Sequence, residues 1–146
     1  GKYPLFVAAL HHYQKLNSGH LLALLESDFP VKDKIKAMLQ MVVEMAAPDG
    51  ARKGCFVINS ACELATDDND IQAFARNNMA TVVTNIEKAL RSGQEKAEIS
   101  ATLDAHALAN YFFNTHNGIM VLGKSGADRE ALESVVKVSL SVLDTE

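Results

Sequence analysis

Residues 54–65 read Gly-Cys-Phe-Val-Ile-Asn-Ser-Ala-Cys-Glu-Leu-Ala. The run is apolar on nearly every side, yet Asn59 and Glu63 stand one helical turn apart within it. A helix that is apolar all round is normally buried, and a polar group inside it needs a partner in the protein or in a bound molecule. We therefore predict a short central helix over about residues 55–65, lining an interior that holds a ligand.

The sequence on both sides of this run is also helical in its periodicity. No window shows convincing alternation of apolar and polar residues, and no hairpin turn joins two strand-like runs. We predict a first helix after Pro4 and a second from Pro30 to the turn at residues 48–50. A long helix is predicted over about residues 69–92, where Ser92-Gly93 either ends it or permits a kink before residues 94–98. The inner face of the second helix is predicted as Ile35, Met38, Leu39, Val42 and Met45.

Two further helices complete the pattern. Asp104 is a predicted N-cap for a helix over 105–124, and Gly126 is a predicted C-terminal residue for the same helix. Asp128 is predicted to start the last helix, which reaches Leu143. The expected fold is all-α, with one domain of six helices spanning residues 1–146.

Composition and charge narrow the class of partner. The chain has 146 residues, 48% of them hydrophobic, and a net charge of −4. No apolar run approaches the roughly 20 residues that a membrane span requires, so no membrane partner is predicted. Lys32, Lys34 and Lys36 form the densest basic cluster, and we expect them on a solvated helix face. Without a basic patch, this part of the protein is not expected to contact DNA itself.

The two cysteines indicate a reducing compartment. Cys55 and Cys62 are seven residues apart on the predicted central helix, a rise of about 10 Å, whereas the Cα atoms of a disulfide lie within about 7 Å. A reduced, cytoplasmic protein is the natural expectation. Cys55 also follows Arg52 and Lys53 at the predicted helix start, where cations and the helix N-terminus favour a thiolate. It is either a sensor of electrophiles or oxidants, or a small buried apolar residue.

Sequence motifs for metal binding and catalysis are absent. The five histidines include no Glu-x-x-His or His-Glu-x-x-His pattern, and Cys-x-x-Cys is also missing. There is no Gly-x-Ser-x-Gly elbow and no glycine-rich phosphate loop. We predict no metal, no cofactor and no enzymatic activity.

A mixed apolar and amide lining is predicted for the interior. Methionine and aromatic walls with a few amides that orient the ligand are typical of ligand pockets. The alternative is that the amides bond within the protein or face solvent, and that the methionines are ordinary core. The predicted ligand-binding residues are Met38, Val42, Met45, Asn59, Cys62, Glu63, Phe74, Asn78, Met79, Phe113 and Asn117.

The last two helices carry apolar residues on more than one side. Such a helix must be covered twice, either within its own domain or by another subunit. Because these helices are the last two in the sequence, we predict a symmetric four-helix interface with a second copy. The predicted interface residues are Phe112, His116, Ile119, Gly123, Leu132, Val135, Val136, Ser139 and Leu143.

Several stretches resemble the effector-binding half of TetR-family transcriptional regulators. They are Gly54–Ala65, Asp68–Gly93 followed by Glu95-Lys96-Ala97-Glu98, and Gly126–Leu132. The opening Gly1-Lys2-Tyr3-Pro4-Leu5-Phe6 resembles the junction that follows a helix-turn-helix domain.

The resemblance implies an all-helical effector domain whose two C-terminal helices form the four-helix bundle of a homodimer. Ligand binding would move the first helix and reset the spacing of two DNA-binding heads. The helix-turn-helix domain would lie before Gly1, so operator DNA would be bound only through a domain missing from this chain. Some relatives sense electrophiles through a cysteine at the position of Cys55.

The sequence therefore favours the ligand-sensing and dimerisation domain of a TetR-type repressor, released from DNA by a small hydrophobic or amphipathic effector. One alternative is an electrophile or redox sensor acting through Cys55. The others are a small helical-bundle enzyme with an acid/base pair that includes Glu63, and a helical interaction module without a ligand cavity.

Overall fold

Helices make up most of the part of the chain that the structure describes. The computed structural model describes Ala8, residues 19–49 and residues 69–144, apart from the side chains of residues 70, 71, 74 and 75. The helices are α1 (residues 19–26), α2 (Val31–Ala46), α3 (Asn69–Glu95), α4 (Ala105–Lys124) and α5 (Arg129–Leu140), followed by a 3-10 turn at Ser141–Asp144.

The described residues contain no β-strand, which confirms the predicted all-α class. None of the described helices is long and apolar enough to cross a membrane. The predicted start of the first helix after Pro4 and the predicted central helix over 55–65 lie outside the described residues, so the count of six helices stays a prediction.

Local signals determine both ends of α4 and the start of α5 as predicted, whereas the last helix, predicted to reach Leu143, continues beyond Leu140 as a 3-10 turn. A carboxylate oxygen of Asp104 accepts a hydrogen bond from the backbone N–H of Ala107 at 3.0 Å, and Asp128 caps Ala131 in the same way at 2.9 Å. Gly126 adopts a left-handed φ of 104° after α4, a conformation that glycine reaches without steric cost. These three predictions are confirmed.

The N-terminus of α2 is capped from a distant part of the chain. Pro30 precedes the helix and makes no side-chain capping bond. Instead, Glu98 Oε1 lies 3.3 Å from the backbone nitrogen of Val31 and accepts its hydrogen bond across 67 residues of sequence. Lys32 Nζ also donates to Asp144 Oδ1 at 2.8 Å. The first turn of α2 is thus joined to the loop after α3 and to the end of the described chain.

Helix α3 continues past the predicted stop at Ser92-Gly93 and ends at Glu95. Gly93 is buried against α2, where a Cβ atom would lie 2.8 Å from Cβ of Val31. The glycine is therefore a packing requirement and does not terminate the helix. The helix end is stabilised by Gln94 Nε2, which donates to the carbonyl oxygens of Ser100 and Leu103 at 3.1 and 2.8 Å.

Helix α4 lies at the centre of the core, in contact with α2, α3 and α5. The predicted inner face of α2 is confirmed at Ile35, Met38, Leu39 and Val42, which are all buried, while Met45 is half-buried. The largest fully buried side chains are Phe112, Ile35, Met38, Leu39, Ile86, Leu90, Ile119, Leu132, Leu143, Val31 and Val42.

Gly123 allows α4 to approach α2 closely. A Cβ atom added there would lie 2.6 Å from Cβ of Ala46 and would also clash with the Ala46 carbonyl oxygen. The sequence predicted this glycine at a subunit interface. The structure places it instead against α2 of its own protomer, because the small residue is needed for this internal contact.

Arg129 joins the end of α2 to the start of α5. Its guanidinium donates to both carboxylate oxygens of Glu44 at 2.6 and 2.9 Å, and its Nε atom lies 3.1 Å from Asp49 Oδ2. These hydrogen bonds lower the pKa of the Glu44 and Asp49 carboxyls below their ordinary values. The groups are exposed, so we expect the cluster to orient the two helices more than to stabilise them.

Lys34 departs from the sequence prediction. It was expected on a solvated face, yet only 5% of the residue is exposed. Its position on α2 faces the end of α1, where Nζ donates to the Leu25 carbonyl oxygen at 3.0 Å. An ammonium is favourable at a helix C-terminus, where backbone carbonyls are left without partners.

The close contact at Gly123 makes a quantitative prediction. Gly123→Ala should lower the free energy of unfolding by about 1 to 3 kcal/mol, because the added methyl group over-packs the α2–α4 contact. The measurement is urea unfolding followed by far-ultraviolet circular dichroism.

Gly118→Ala on the same helix is the matched control. A Cβ atom there meets no neighbour within 4 Å, so this variant should be more stable by about 0.5 to 1 kcal/mol. Equal effects of the two substitutions would contradict the packing role of Gly123.

Candidate ligand-binding site

The inward face of α4 is buried along most of its length and only half-buried at His116. Ala109, Phe112, Ile119 and Gly123 share this face at helical intervals of three, seven and four residues, and all are buried. His116 lies between them on the same face but is only half-buried. We take this less enclosed position on the buried face of α4 as the candidate place for a ligand.

His116 is held by two neighbours on its own helix. Its ring stacks on Phe113 with a centroid separation of 6.4 Å and an interplanar angle of 6°. Its Nδ1 atom lies 3.3 Å from Asn117 Oδ1. Because an amide oxygen only accepts, Nδ1 carries the proton and Nε2 is left as an acceptor.

The protonation state of His116 follows from its surroundings. Burial lowers the pKa of its imidazole below the ordinary value of 6.5, although the hydrogen bond to Asn117 opposes this shift. The charged form is disfavoured because it loses hydration inside the protein. His116 is therefore a neutral group at neutral pH and offers a ligand one hydrogen-bond acceptor next to an aromatic ring.

Helices α2 and α3 contribute further half-buried side chains. Both helices pack on α4. Met45 on α2 and Asn78 and Met79 on α3 keep intermediate exposure. Together with Phe113 and Asn117 they give flexible thioethers, one aromatic ring and amides, which is the mixed composition of small-molecule sites.

Two of the predicted ligand residues have a different environment. Met38 and Val42 are 1% and 0% exposed, so no water-sized space adjoins either side chain. Both side chains are part of the hydrophobic core.

The other predicted ligand residues lie outside the described part of the chain. They are Asn59, Cys62 and Glu63, together with the side chain of Phe74. Cys55, the predicted redox sensor, also lies there. Their roles stay predictions.

Most of the predicted subunit-interface residues face the core of their own protomer. Phe112, Ile119, Leu132, Val136, Ser139 and Leu143 are buried there in the same way as Gly123, while His116 and Val135 are half-buried. A side chain fully enclosed by its own chain has no surface to offer a second copy. The sequence showed two apolar sides on each helix, and the packing of α2 determines which side is internal.

The outer sides of α4 and α5 carry the apolar residues that stay accessible. Val121 is 56% exposed and Val138 is 68% exposed, and Tyr111 and Leu122 are also exposed. Tyr111 and Leu122 are spaced to share the outer face of α4, opposite His116. The two faces of α4 thus differ in environment.

His116 was predicted at the subunit interface and not as a ligand residue, and of the three asparagines on α4 only Asn117 is half-buried. Asn110 is exposed and its amide donates to the His106 carbonyl oxygen at 3.1 Å, and Asn114 is exposed as well. The spacing of His116 from Phe112 and Ile119 was a usable signal, because it places a polar ring in an apolar stripe. Only knowledge of the neighbouring helices shows that this stripe faces inward.

A second polar cluster joins α3 and α4 at the surface. His106 Nδ1 lies 2.6 Å from Glu87 Oε1, and Arg91 Nε lies 2.8 Å from Glu87 Oε2. Both contacts lower the pKa of the Glu87 carboxyl, with His106 the larger cause. No group of three or more potential metal ligands occurs within the described residues. The cluster links α3 to α4 at the surface through the contact of Glu87 with His106.

Comparison with known families gives one match over most of the chain. Residues 31–138 match the family described as tetracyclin repressor-like, C-terminal domain. A curated relative is the uncharacterized HTH-type transcriptional regulator YezE of Bacillus subtilis (strain 168). It is 27% identical over 144 residues, which cover 98% of this chain and 74% of the relative.

Solved structures share the fold. A TetR transcriptional regulator from Chloroflexus aurantiacus J-10-fl has a TM-score of 0.84 at 20% identity, over 100% of this chain and 74% of its own. A cysteine mutant of the TetR family regulator CifR, complexed with 26-base-pair operator DNA, has a TM-score of 0.84 at 20% identity, over 98% and 74%. A TetR family regulator from Cytophaga hutchinsonii has a TM-score of 0.86 at 15% identity, over 99% and 72%.

The lowered pKa of His116 predicts a pH dependence of stability. The unfolded chain takes up a proton at about the ordinary value of 6.5, whereas the folded chain resists it. Unfolding is therefore favoured as pH falls, starting where the unfolded imidazole titrates. We expect the free energy of unfolding to decrease from about pH 8 to about pH 5, and His116→Gln to flatten this slope.

The measurement is a series of urea titrations across that pH range. His106→Gln is the matched control, since His106 is exposed on the same helix. If the slope survives in His116→Gln and disappears in His106→Gln, the assignment of the buried proton site to His116 is refuted.

Proposed function

Because the chain belongs to the family of tetracyclin repressor-like C-terminal domains, we propose that it is the effector-binding and dimerisation domain of a TetR-type transcriptional repressor. A small hydrophobic or amphipathic molecule is the proposed effector that releases the repressor from operator DNA. The observation that carries this proposal is the half-buried His116 on the otherwise buried face of α4.

Half-buried side chains on α4 and on the helices packed against it support an amphipathic effector. The half-buried Met45, Met79 and Phe113 favour an apolar body, since thioethers and an aromatic ring adapt to its shape. The Nε2 acceptor of His116, which has no partner among the described residues, and the amides of Asn78 and Asn117 favour a ligand with at least one hydroxyl or N–H donor. We therefore propose an uncharged apolar molecule with one or two polar groups.

Operator recognition is assigned to a helix-turn-helix domain outside these 146 residues. A net charge of −4 gives this part of the protein no electrostatic attraction to the phosphate backbone. The likeness to a regulator solved with operator DNA supports a DNA-binding role for the intact protein. A DNA-binding regulator acts in the compartment that contains the DNA. The spacing of Cys55 and Cys62 agrees with a reducing, cytoplasmic location.

The proposed homodimer uses the outer faces of α4 and α5. We define this apolar strip by Tyr111, Val121, Leu122 and Val138, with the half-buried Val135 and Val142 beside Val138. Contiguous exposed apolar residues are typical of interaction surfaces, and α4 and α5 pack side by side. A two-fold copy of this helix pair would form a four-helix bundle. This strip replaces the buried residues that the sequence analysis assigned to the interface.

The effector site is tested by a thermal-shift screen of the purified protein. The compounds are uncharged aromatic and medium-chain alcohols and amides. A ligand present at about 100 times its dissociation constant should stabilise the fold by about 2.7 kcal/mol. Asn117→Ala should weaken the best compound roughly tenfold, the effect of losing one hydrogen bond and the support it gives to His116.

Asn114→Ala is the control for that variant, because Asn114 is exposed on the same helix, three residues before Asn117. It should leave the affinity unchanged. The proposal fails if no compound class stabilises the protein, or if binding is insensitive to Asn117→Ala. Turnover of a bound compound would instead favour the enzyme alternative.

The dimer is tested by a charge placed on the strip. Val138→Glu should raise the dissociation constant of the dimer at least about tenfold, since the two-fold axis duplicates each buried carboxylate. Sedimentation equilibrium then measures a shift from twice 15.8 kDa toward 15.8 kDa.

Met41→Glu provides the comparison, because Met41 is an exposed apolar residue on α2 and not on the strip. The dimer of this variant should have the same dissociation constant as the wild-type dimer. A wild-type protein that sediments as a single chain at all concentrations would refute the homodimer.

A further inference from the structure

A groove separate from the His116 site lies between the end of α1 and the second half of α3. It has a volume of about 240 Å³. Lys34 of α2, Lys88 of α3 and Lys96 after α3 line it, together with Glu26 and Asp28 from the end of α1. None of these residues belongs to the proposed effector site. The groove thus holds three cationic groups and two carboxylates in a protein whose net charge is negative.

Lys34 is the unusual member of this set. It is 5% exposed, and an ammonium group has three hydrogen-bond donors. In the described part of the chain its only acceptor is the Leu25 carbonyl oxygen, at 3.0 Å, and no carboxylate lies within ion-pair distance. A buried charge is costly unless it is paired, so two donors of Lys34 remain for another acceptor.

Lys88 and Lys96 strengthen the positive character beside Lys34. Both are exposed, and among the described residues neither forms an ion pair. Glu26 and Asp28 also line the groove without pairing with these lysines. The two acidic groups limit the total negative charge that the groove accepts. A single carboxylate would match the excess of one positive charge, whereas a multiply charged anion would leave part of its charge uncompensated.

Apolar side chains complete the lining. Leu22, Leu25 and Ala89 line the groove next to the lysines, and the half-buried Leu22 offers most of the accessible hydrocarbon surface, because Leu25 and Ala89 are each 4% exposed. An anion that is charged throughout would leave this surface uncovered. A molecule with one carboxylate and a short alkyl or aryl body would use both parts of the groove.

We propose that this groove is a second binding site, specific for small monocarboxylates. The carboxylate accepts hydrogen bonds from the free donors of Lys34 and is attracted by Lys88 and Lys96. The apolar body lies against Leu22, Leu25 and Ala89. Since the Lys34 ammonium also holds the last turn of α1 through Leu25, a bound carboxylate and the end of α1 share one donor group.

The test uses hexanoate and the uncharged hexanamide as probes. Amide proton–nitrogen correlation spectra of the purified protein are recorded during titration with each probe. Hexanoate should cause saturable shifts at the amides of Leu25, Lys34 and Ala89, and hexanamide should not. Lys34→Met, which keeps the length of the aliphatic stem, should weaken hexanoate binding at least about tenfold, the effect of about 1.4 kcal/mol.

Two further variants keep the test decisive. Lys88→Gln changes an exposed residue and should weaken hexanoate binding about threefold even if Lys34→Met fails to fold. Lys36→Gln, an exposed change two residues from Lys34, should have no effect. The proposal is overturned if hexanoate and hexanamide cause equal shifts, or if the shifts appear only around His116. It is also overturned if inorganic phosphate binds more tightly than hexanoate, or if Lys88→Gln binds hexanoate like the wild type.

Discussion

The contact between Gly123 and Ala46 is the constraint on which the rest of the arrangement depends. The absent side chain lets α4 approach the backbone of α2, and this contact determines how deeply α4 lies in the core. Since α4 touches α2, α3 and α5, its depth also sets the positions of those helices. His116, two turns earlier on the same helix, is therefore placed in the interior by a contact some distance from it.

The division of α4 into two faces explains how one helix could serve two roles. Its inward face presents His116, stacked on Phe113, to the interior. Its outward face presents Tyr111 and Leu122. In the proposed repressor the first face would sense an effector and the second would hold the partner subunit. A helix packed on three sides transmits small shifts as a rigid body, because close-packed interiors deform little.

Features that depend on residues close in sequence were predictable, and features that depend on packing between helices were not. The caps at Asp104 and Asp128 and the turn at Gly126 depend only on residues within three positions, so the sequence was sufficient to locate them. The prediction that Ser92-Gly93 ends α3 was wrong, because the contact of Gly93 with Val31 of another helix cannot be read from the sequence. The burial of Lys34 was missed for the same reason. The candidate site was half predictable: residue types indicated a mixed lining, but only packing separates the enclosed Met38 and Val42 from the half-buried Met45 and Met79.

The cap of α2 by Glu98 affects how this chain folds. The first N–H of α2 has no local partner and is satisfied only when a residue 67 positions later has docked. Closing a loop of that length costs conformational entropy before the contact forms. The first N–H of α2 is consequently capped by tertiary structure and not by a side chain next to it in the sequence. The loop after α3 therefore supplies a hydrogen bond that α2 cannot make within its own first turn.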